Sequence, residues 1–123
     1  MGHGYKEDIG HYHSISENLP DLTSKYKYSN GYFGDSGKGR SFVRNIVSED
    51  PTSKDFYDKA ARGGIEKEMS NGKGYFTKMK DGSILSYREI SSTDGSPVVE
   101  INIKSSNEHG DIKDQKIHFV RGN

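Results

Sequence analysis

The chain has 123 residues, with 18 Lys and Arg balanced by 18 Asp and Glu, 29% apolar residues and a mean hydropathy of −0.95. This length predicts a single domain with a modest core, and the balanced net charge gives no argument for a polyanionic partner. The sequence has no cysteine for a disulfide or thiolate, no apolar run of the roughly 18 to 20 residues a membrane helix needs, and no signal-peptide core in MGHGYKED.

Residues 1–42 are rich in glycine, serine, tyrosine and charge, and they show no sustained period of 2 or 3.6 residues. This pattern predicts an irregular, extended lead-in. We call residues 25–44 the basic aromatic segment. Its cations and rings are Lys25, Lys27, Lys38, Arg40, Arg44, Tyr26, Tyr28, Tyr32, Phe33 and Phe42. Such a composition is typical of surfaces that bind single-stranded nucleic acid, although it also suits a solvated loop whose tyrosines cover a core.

Residues 43–123 read as a helix followed by an antiparallel sheet, so the predicted fold class is α+β with an irregular or helical N-terminal part. Thr52 or Ser53 is suited to begin the helix and Gly63-Gly64 to end it. Four segments have the length and the β-branched or aromatic content of strands: 74–80, 83–90, 97–103 and 115–120. Asp81-Gly82 predicts a tight hairpin turn between the first two.

Strand alternation predicts one apolar and one polar face for this four-stranded sheet. Ile117 and Phe119 share a face in the last strand, which leaves Lys116 and His118 opposite. The third strand similarly leaves Glu100 and Asn102 on the polar side. We expect Arg88 or Ser86 and Thr77 to join them. The register of the second strand is open, because Ile84 and Ile90 alternate with Leu85 and Tyr87 and both sets are apolar.

A face that carries histidine, glutamate, lysine and arginine suits metal-independent cleavage of RNA. Histidine titrates near neutrality and serves as general acid or base, and glutamate can be its complement. Arginine and lysine stabilise the charge that develops on phosphate. The plain alternative is that His118 merely lies on an exposed strand face among ordinary charged residues.

From Val43 to the end, the sequence resembles C-terminal toxin domains of bacterial polymorphic toxins, including contact-dependent inhibition effectors. The resemblance is carried by DFYDKAARGGIEKEM (55–69), KMKDGSILSYREISSTDGSPVVEINI (78–103) and QKIHF (115–119). It implies a nuclease, often a tRNase, with the fold shared by barnase, EndoU-type enzymes, several colicins and ribosome-dependent toxins. We therefore divide the chain into a lead-in, 1–42, and a nuclease toxin domain, 43–123.

The resemblance also implies a setting and, together with the strand pattern and the basic aromatic segment, leads to a set of predicted site residues. The domain would be delivered as the C-terminal part of a larger secreted or cell-surface toxin, act in the cytoplasm of the target bacterium, and be neutralised by an acidic immunity protein. Whether a host protein activates it is left open, and neither a cofactor nor a metal is expected. The predicted catalytic residues are His118, Arg88, Lys116, Ser91, Ser92 and Thr77. The predicted substrate-binding residues are Lys67, Asp94, Glu100, Lys25, Lys27, Arg40 and Arg44.

Two other classes of function fit parts of the sequence. A metal-dependent DNase would need clustered carboxylates or a histidine-metal motif, of which the chain offers Glu100, Asp94 and scattered histidines. A non-catalytic module would use the basic aromatic segment to hold RNA or a protein.

Overall fold

The computed structural model describes residues 12–37, 39–48, 52–89 and 95–121. It contains two helices, α1 (Ile15–Thr23) and α2 (Ser53–Ala60). The strands are β1 (Tyr28–Ser29), β2 (Tyr32–Phe33), β3 (Asp35–Ser36), β4 (Val43–Ser48), β5 (Ile65–Glu68), β6 (Gly74–Lys78), β7 (Ile84–Arg88), β8 (Val98–Asn102) and β9 (Gln115–Arg121).

The main sheet has seven strands in the order β3-β4-β9-β8-β7-β6-β5. The α+β class is confirmed, and β6 to β9 are the four predicted strands. The prediction of a purely antiparallel, four-stranded sheet was wrong, since β5 extends one edge and β3 and β4 extend the other. Strand β4 runs parallel to β9, with Asn45 beside His118. The sheet is therefore mixed.

Helix α2 forms where the sequence predicted a helix and covers one face of the sheet. Phe56, Tyr57 and Ala60 recur at helical spacing and are fully buried. The Tyr57 ring stacks on Tyr87 of β7 with 5.4 Å between centroids, and Phe56 meets Phe119 of β9 at 5.5 Å. This helix thus defines the apolar side of the sheet as the core side.

The expectation of an irregular lead-in was wrong for residues 12–37. The Ser14 backbone N–H donates to the Glu17 carboxylate at 2.7 Å, which caps α1 at its start. Asn30-Gly31 joins β1 and β2 with positive φ at both residues, 54° and 88°, as a two-residue hairpin turn requires. A helix and a hairpin therefore precede β4.

These N-terminal elements belong to the same core as the sheet. Ile15 and Leu22 of α1 and Phe33 of β2 are fully buried in one cluster with Phe56 and Ile117. The core therefore continues across the boundary drawn between residues 42 and 43.

Buried polar side chains fasten these elements to the rest of the fold. Gln115 of β9 accepts the Phe33 N–H at 2.8 Å and donates to the Gly31 carbonyl at 2.9 Å. Asn18 of α1 donates to the Ala60 and Arg62 carbonyls at the end of α2, at 2.9 and 2.7 Å. Each amide thus satisfies backbone groups of a neighbouring element in a buried setting, where an unpaired group would be costly.

The predicted turn at Asp81-Gly82 is confirmed and also holds α1. The Met79 N–H donates to the Ser83 carbonyl at 2.9 Å, which closes the turn between β6 and β7. Asp81 is buried and accepts the Ile15 N–H at 3.1 Å and the Ser83 hydroxyl at 3.0 Å. A carboxylate at a helix N-terminus is favourably placed against the helix dipole.

Candidate active site

The side of the sheet away from α2 carries a polar surface built from four neighbouring strands. Strand pairing sets its residues in two rows: Asn45, His118, Val98 and Arg88, and then Val43, Lys116, Glu100 and Ser86. We call the polar members of these rows, Asn45, Ser86, Arg88, Glu100, Lys116 and His118, the polar face. Sequence alternation placed Glu100, Lys116 and His118 together, and the pairing confirms this.

His118 lies at the centre of the polar face but is only 5% exposed, which differs from the open display expected. Its Nδ1 is 3.0 Å from the Ser96 hydroxyl. The Phe119 N–H donates to the Pro97 carbonyl at 2.9 Å and so keeps residues 96–97 against β9. When Nδ1 carries the proton and donates to Ser96, Nε2 is the nitrogen that holds the lone pair.

The charges of the polar face lie on the strand of His118 and on the next two strands, with Val98 between His118 and Arg88. Arg88 approaches Glu100 with 3.7 Å between guanidinium and carboxylate, and their side chains are 35% and 40% exposed. Lys116 pairs directly with Glu100 across β8 and β9 and is half-buried. Two cations therefore flank one carboxylate on this face.

The structure resolves the open register of β7. Leu85 and Tyr87 point into the core and are buried, whereas Ile84 is 37% exposed. The alternate residues, Ser86 and Arg88, therefore belong to the polar face.

Thr77 is not part of the polar face, and the prediction that it joins His118 was wrong. It is fully buried on the core side of β6, with its hydroxyl 2.5 Å from that of Tyr57. Burial raises the pKa of Tyr57 well above its usual range. The glycine at position 74 and Phe76 take the polar side of β6 instead, because they pair with Arg88 and Ser86. We assign Thr77 a packing role.

Lys67 of β5 is exposed on the polar side of the sheet, since it pairs with Phe76. Four strand spacings separate β5 from β9, or roughly 19 Å at the usual spacing in sheets. Lys67 therefore lies far from His118 on the same side.

The two lysines of the basic aromatic segment that lie among the described residues, Lys25 and Lys27, have carboxylate partners. Lys25 Nζ is 2.9 Å from Asp55, and Lys27 forms an ion pair with Asp35. Burial opposes ionisation of Asp55, but hydrogen bonds from Lys59, Tyr26 and Lys25 outweigh it and hold the pKa of that carboxyl well below its usual range. Lys25 thereby helps join the N-terminal segment to α2.

Arg44 and the tyrosines of this segment also make structural contacts. The Arg44 guanidinium donates to the carbonyls of Phe33 and Gly34, both at 3.0 Å, and lies 4.9 Å from the Tyr32 ring centroid. Tyr28 packs on Phe33 and donates to Asp111 at 2.7 Å. Arg40 is exposed. These contacts favour the alternative in which the segment covers the core.

Three predicted site residues, Ser91, Ser92 and Asp94, lie outside the described residues. Two residues beside His118 were not predicted. Asn45 was missed because β4 was not recognised, since the apolar residues of VRNIVS do not alternate with polar ones. Ser96 precedes a proline and gives no sequence signal of its own.

Within the described part of the chain, no three histidine, cysteine, aspartate or glutamate residues are grouped to hold a metal ion. None of the described helices is long and apolar enough to cross a membrane.

Comparison of the chain with protein-family models, with curated proteins and with solved structures found no match. The resemblance to toxin nucleases that the sequence suggested therefore stays a prediction.

Proposed function

We propose that this protein is a metal-independent endoribonuclease, acting on tRNA as a bacterial toxin domain. The observation that carries the proposal is the position of His118 beside Lys116 on a sheet face that also holds Arg88 and Glu100. This combination supplies an imidazole that can take or give a proton and cations that stabilise an oxyanion.

In the proposed reaction, the ribose 2'-oxygen bonds to phosphorus while the bond to the 5'-oxygen breaks, leaving a 2',3'-cyclic phosphate. One group takes the proton of the 2'-hydroxyl, and another gives a proton to the departing 5'-oxygen. His118 performs one of these transfers through Nε2, with Nδ1 oriented by Ser96. Glu100 performs the other.

Lys116 and Arg88 stabilise the equatorial oxygens of the crowded phosphorane. Arginine offers a planar pair of donors for this, and lysine a point charge. The 3.7 Å separation of Arg88 from Glu100 is longer than a direct hydrogen bond, so the guanidinium can turn to phosphate at small cost. Asn45 supplies a further amide beside His118.

The toxin context is part of the same proposal. The domain is delivered at the C-terminal end of a larger secreted or cell-surface protein, acts in the target cytoplasm with or without a host activating factor, and is neutralised by an immunity protein. Lys116, Arg88 and Lys67 give one side of the sheet a positive surplus, so the immunity protein that covers it is acidic.

The test is to incubate the purified protein with total tRNA and EDTA and resolve the products on a denaturing gel. We expect discrete fragments ending in cyclic phosphate. His118→Gln keeps a polar group near Ser96 but cannot exchange protons, and we expect its rate to be at least about 100-fold lower. His109→Gln, in the loop between β8 and β9, is the matched control and is expected to cleave normally.

Each contrary outcome has a distinct meaning. Unchanged cleavage by His118→Gln removes His118 from the mechanism. Activity lost in EDTA and restored by magnesium, with DNA as substrate, identifies a metal-dependent DNase. Tight, salt-sensitive RNA binding without cleavage under any condition identifies a binding module.

A further inference from the structure

A cleft of about 910 Å³ lies where the ends of β5, β6 and β7 meet the start of α2. It is lined by Lys54, Glu68, Asn71, Lys73, Tyr75 and Arg88, together with Tyr87, Glu89 and two glycines. This volume is near the upper end of the range for ligand pockets, roughly 300 to 1,000 Å³. A single nucleotide with its phosphate fits well within it.

Arg88 connects the cleft to the polar face, since it belongs to both. Gly74 pairs with Arg88, and a Cβ at this position would come within 2.1 Å of the Tyr87 carbonyl and 3.1 Å of the Arg88 Cγ. Only glycine is therefore accommodated, and no side chain stands on β6 beside Arg88. A polynucleotide strand can pass along this edge from the polar face into the cleft.

The charges of the cleft suit the two ends of a nucleotide. Lys54 and Lys73 are exposed, and Lys54 forms a surface ion pair with Asp58 at 3.0 Å. Exposed pairs of this kind contribute little to stability, so a phosphate can replace the carboxylate. Glu68 and Glu89 repel phosphate but accept hydrogen bonds from the amino groups of bases.

The Tyr75 ring gives the cleft an aromatic surface beside these charges. It is half-buried against the core, so one part of the ring is anchored and the rest borders the cleft. Aromatic rings with adjacent cations are the usual means of holding unpaired bases.

We propose that this cleft binds one unpaired RNA nucleotide adjacent to the cleavage site, with its phosphate on Lys54, Lys73 and Arg88 and its base against Tyr75. This inference rests on the proposed ribonuclease function. It identifies a single-stranded region, such as a loop, as the part of the RNA that is bound.

The experiment measures fluorescence anisotropy of a labelled single-stranded RNA 12-mer with protein carrying His118→Gln, so that cleavage does not interfere. In this background, we expect Lys54→Gln with Lys73→Gln to weaken binding about tenfold, and to make the slope of log affinity against log salt shallower by about 0.7, as loss of the contact with one phosphate predicts. Lys80→Gln with Lys104→Gln removes the same charge at the opposite end of the sheet and is expected to change binding less than twofold.

Tyr75 is tested by Tyr75→Leu, which we expect to weaken binding about tenfold, while Tyr75→Phe preserves it. Equal losses in the two double-lysine variants would show long-range attraction rather than a site and would overturn the inference. If Lys54→Gln with Lys73→Gln leaves binding unchanged, while protein that keeps His118 still cleaves tRNA, the proposed nucleotide site in the cleft is wrong. The proposed ribonuclease function would then stand. If the native protein neither cleaves nor binds RNA, both fall together.

Discussion

The basic aromatic segment and the polar face carry similar residues but use them differently. In the segment, Lys25 and Lys27 meet carboxylates, and Arg44 donates to backbone carbonyls. On the polar face, Arg88 lies 3.7 Å from one carboxylate, and Lys116 is placed beside His118. The function of a cation therefore depends on which hydrogen-bond acceptors the fold places beside it. The sequence predicted RNA contacts in both regions, and the function that we propose uses the second.

The largest effect that we expect is on the rate of tRNA cleavage and concerns Lys116 of the polar face. Lys116→Gln removes a charge that stabilises the phosphorane, and we expect tRNA cleavage to fall about 100-fold, as for loss of an oxyanion donor. The melting temperature should hardly change, because no core contact is lost. The measurement is the single-turnover rate on tRNA, beside a thermal melt.

Lys78→Gln is the control for Lys116, since Lys78 lies on the same side of the sheet but pairs with Ile84, away from His118. It is expected to cleave at close to the native rate. Equal losses in both variants would assign the effect to the general field of the sheet rather than to a catalytic position.

The next effect is on stability and concerns Arg44. Arg44→Gln removes charged hydrogen bonds to the carbonyls of Phe33 and Gly34, and we expect the free energy of unfolding to fall by about 1–3 kcal/mol. Cleavage per folded molecule should be unchanged. Urea denaturation and an activity assay on the folded fraction test this. A variant that folds normally but cleaves slowly would return Arg44 to the RNA-binding surface.

Much of the C-terminal fold could be predicted because its signals are local. Alternation within β8 and β9 assigns each residue to a face, and Asp81-Gly82 fixes the turn between β6 and β7. Strand β4 was missed because its partner β9 is about 70 residues away in the chain. Helix α1 was missed although Ser14 and Glu17 form a capping box, since Pro20 inside it normally argues against a helix.

The candidate site was predictable to the same extent. The predicted side of the sheet was correct for His118, Lys116 and Glu100, because the two faces of their strands differ clearly in polarity. The prediction for Thr77 was wrong because Tyr75 and Phe76 are both aromatic, so the sequence does not show which alternate residues of β6 face the core. Contacts between distant segments, such as Ser96 with His118, have no local signal.

A smaller effect is expected from Asp55, with a dependence on pH. Its pKa is lower in the folded than in the unfolded state, so it stabilises the fold above the ordinary aspartate pKa of about 3.9, and the effect is lost as pH falls below that value. We expect Asp55→Asn to cost about 1 kcal/mol at pH 6, since partial exposure screens the interaction. The cost should be smaller at pH 2.5 than at pH 6, because the stabilisation is lost progressively as the pH falls from about 3.9 towards the lowered pKa of the folded state.

Urea denaturation of both proteins at pH 6, 4 and 2.5 measures this difference. A cost that stays constant across these pH values would mean that packing, rather than the ionised carboxylate, makes Asp55 important. In that case, the link between Lys25 and α2 would contribute little to the fold.

The smallest effect on stability and RNA binding is expected at Lys27. This residue tests whether the basic aromatic segment and the polar face differ in function. Its pair with Asp35 is exposed on both sides, 67% and 60%, and pairs of this kind contribute less than about 1 kcal/mol. Lys27→Gln should therefore change stability by no more than about 0.5 kcal/mol and RNA binding by less than twofold. Lys116→Gln removes the same charge from the polar face, so the two variants differ only in where the charge is lost. If Lys27→Gln weakened RNA binding as much as Lys116→Gln, both basic regions would be RNA surfaces, because an exposed lysine leaves its carboxylate easily for a phosphate.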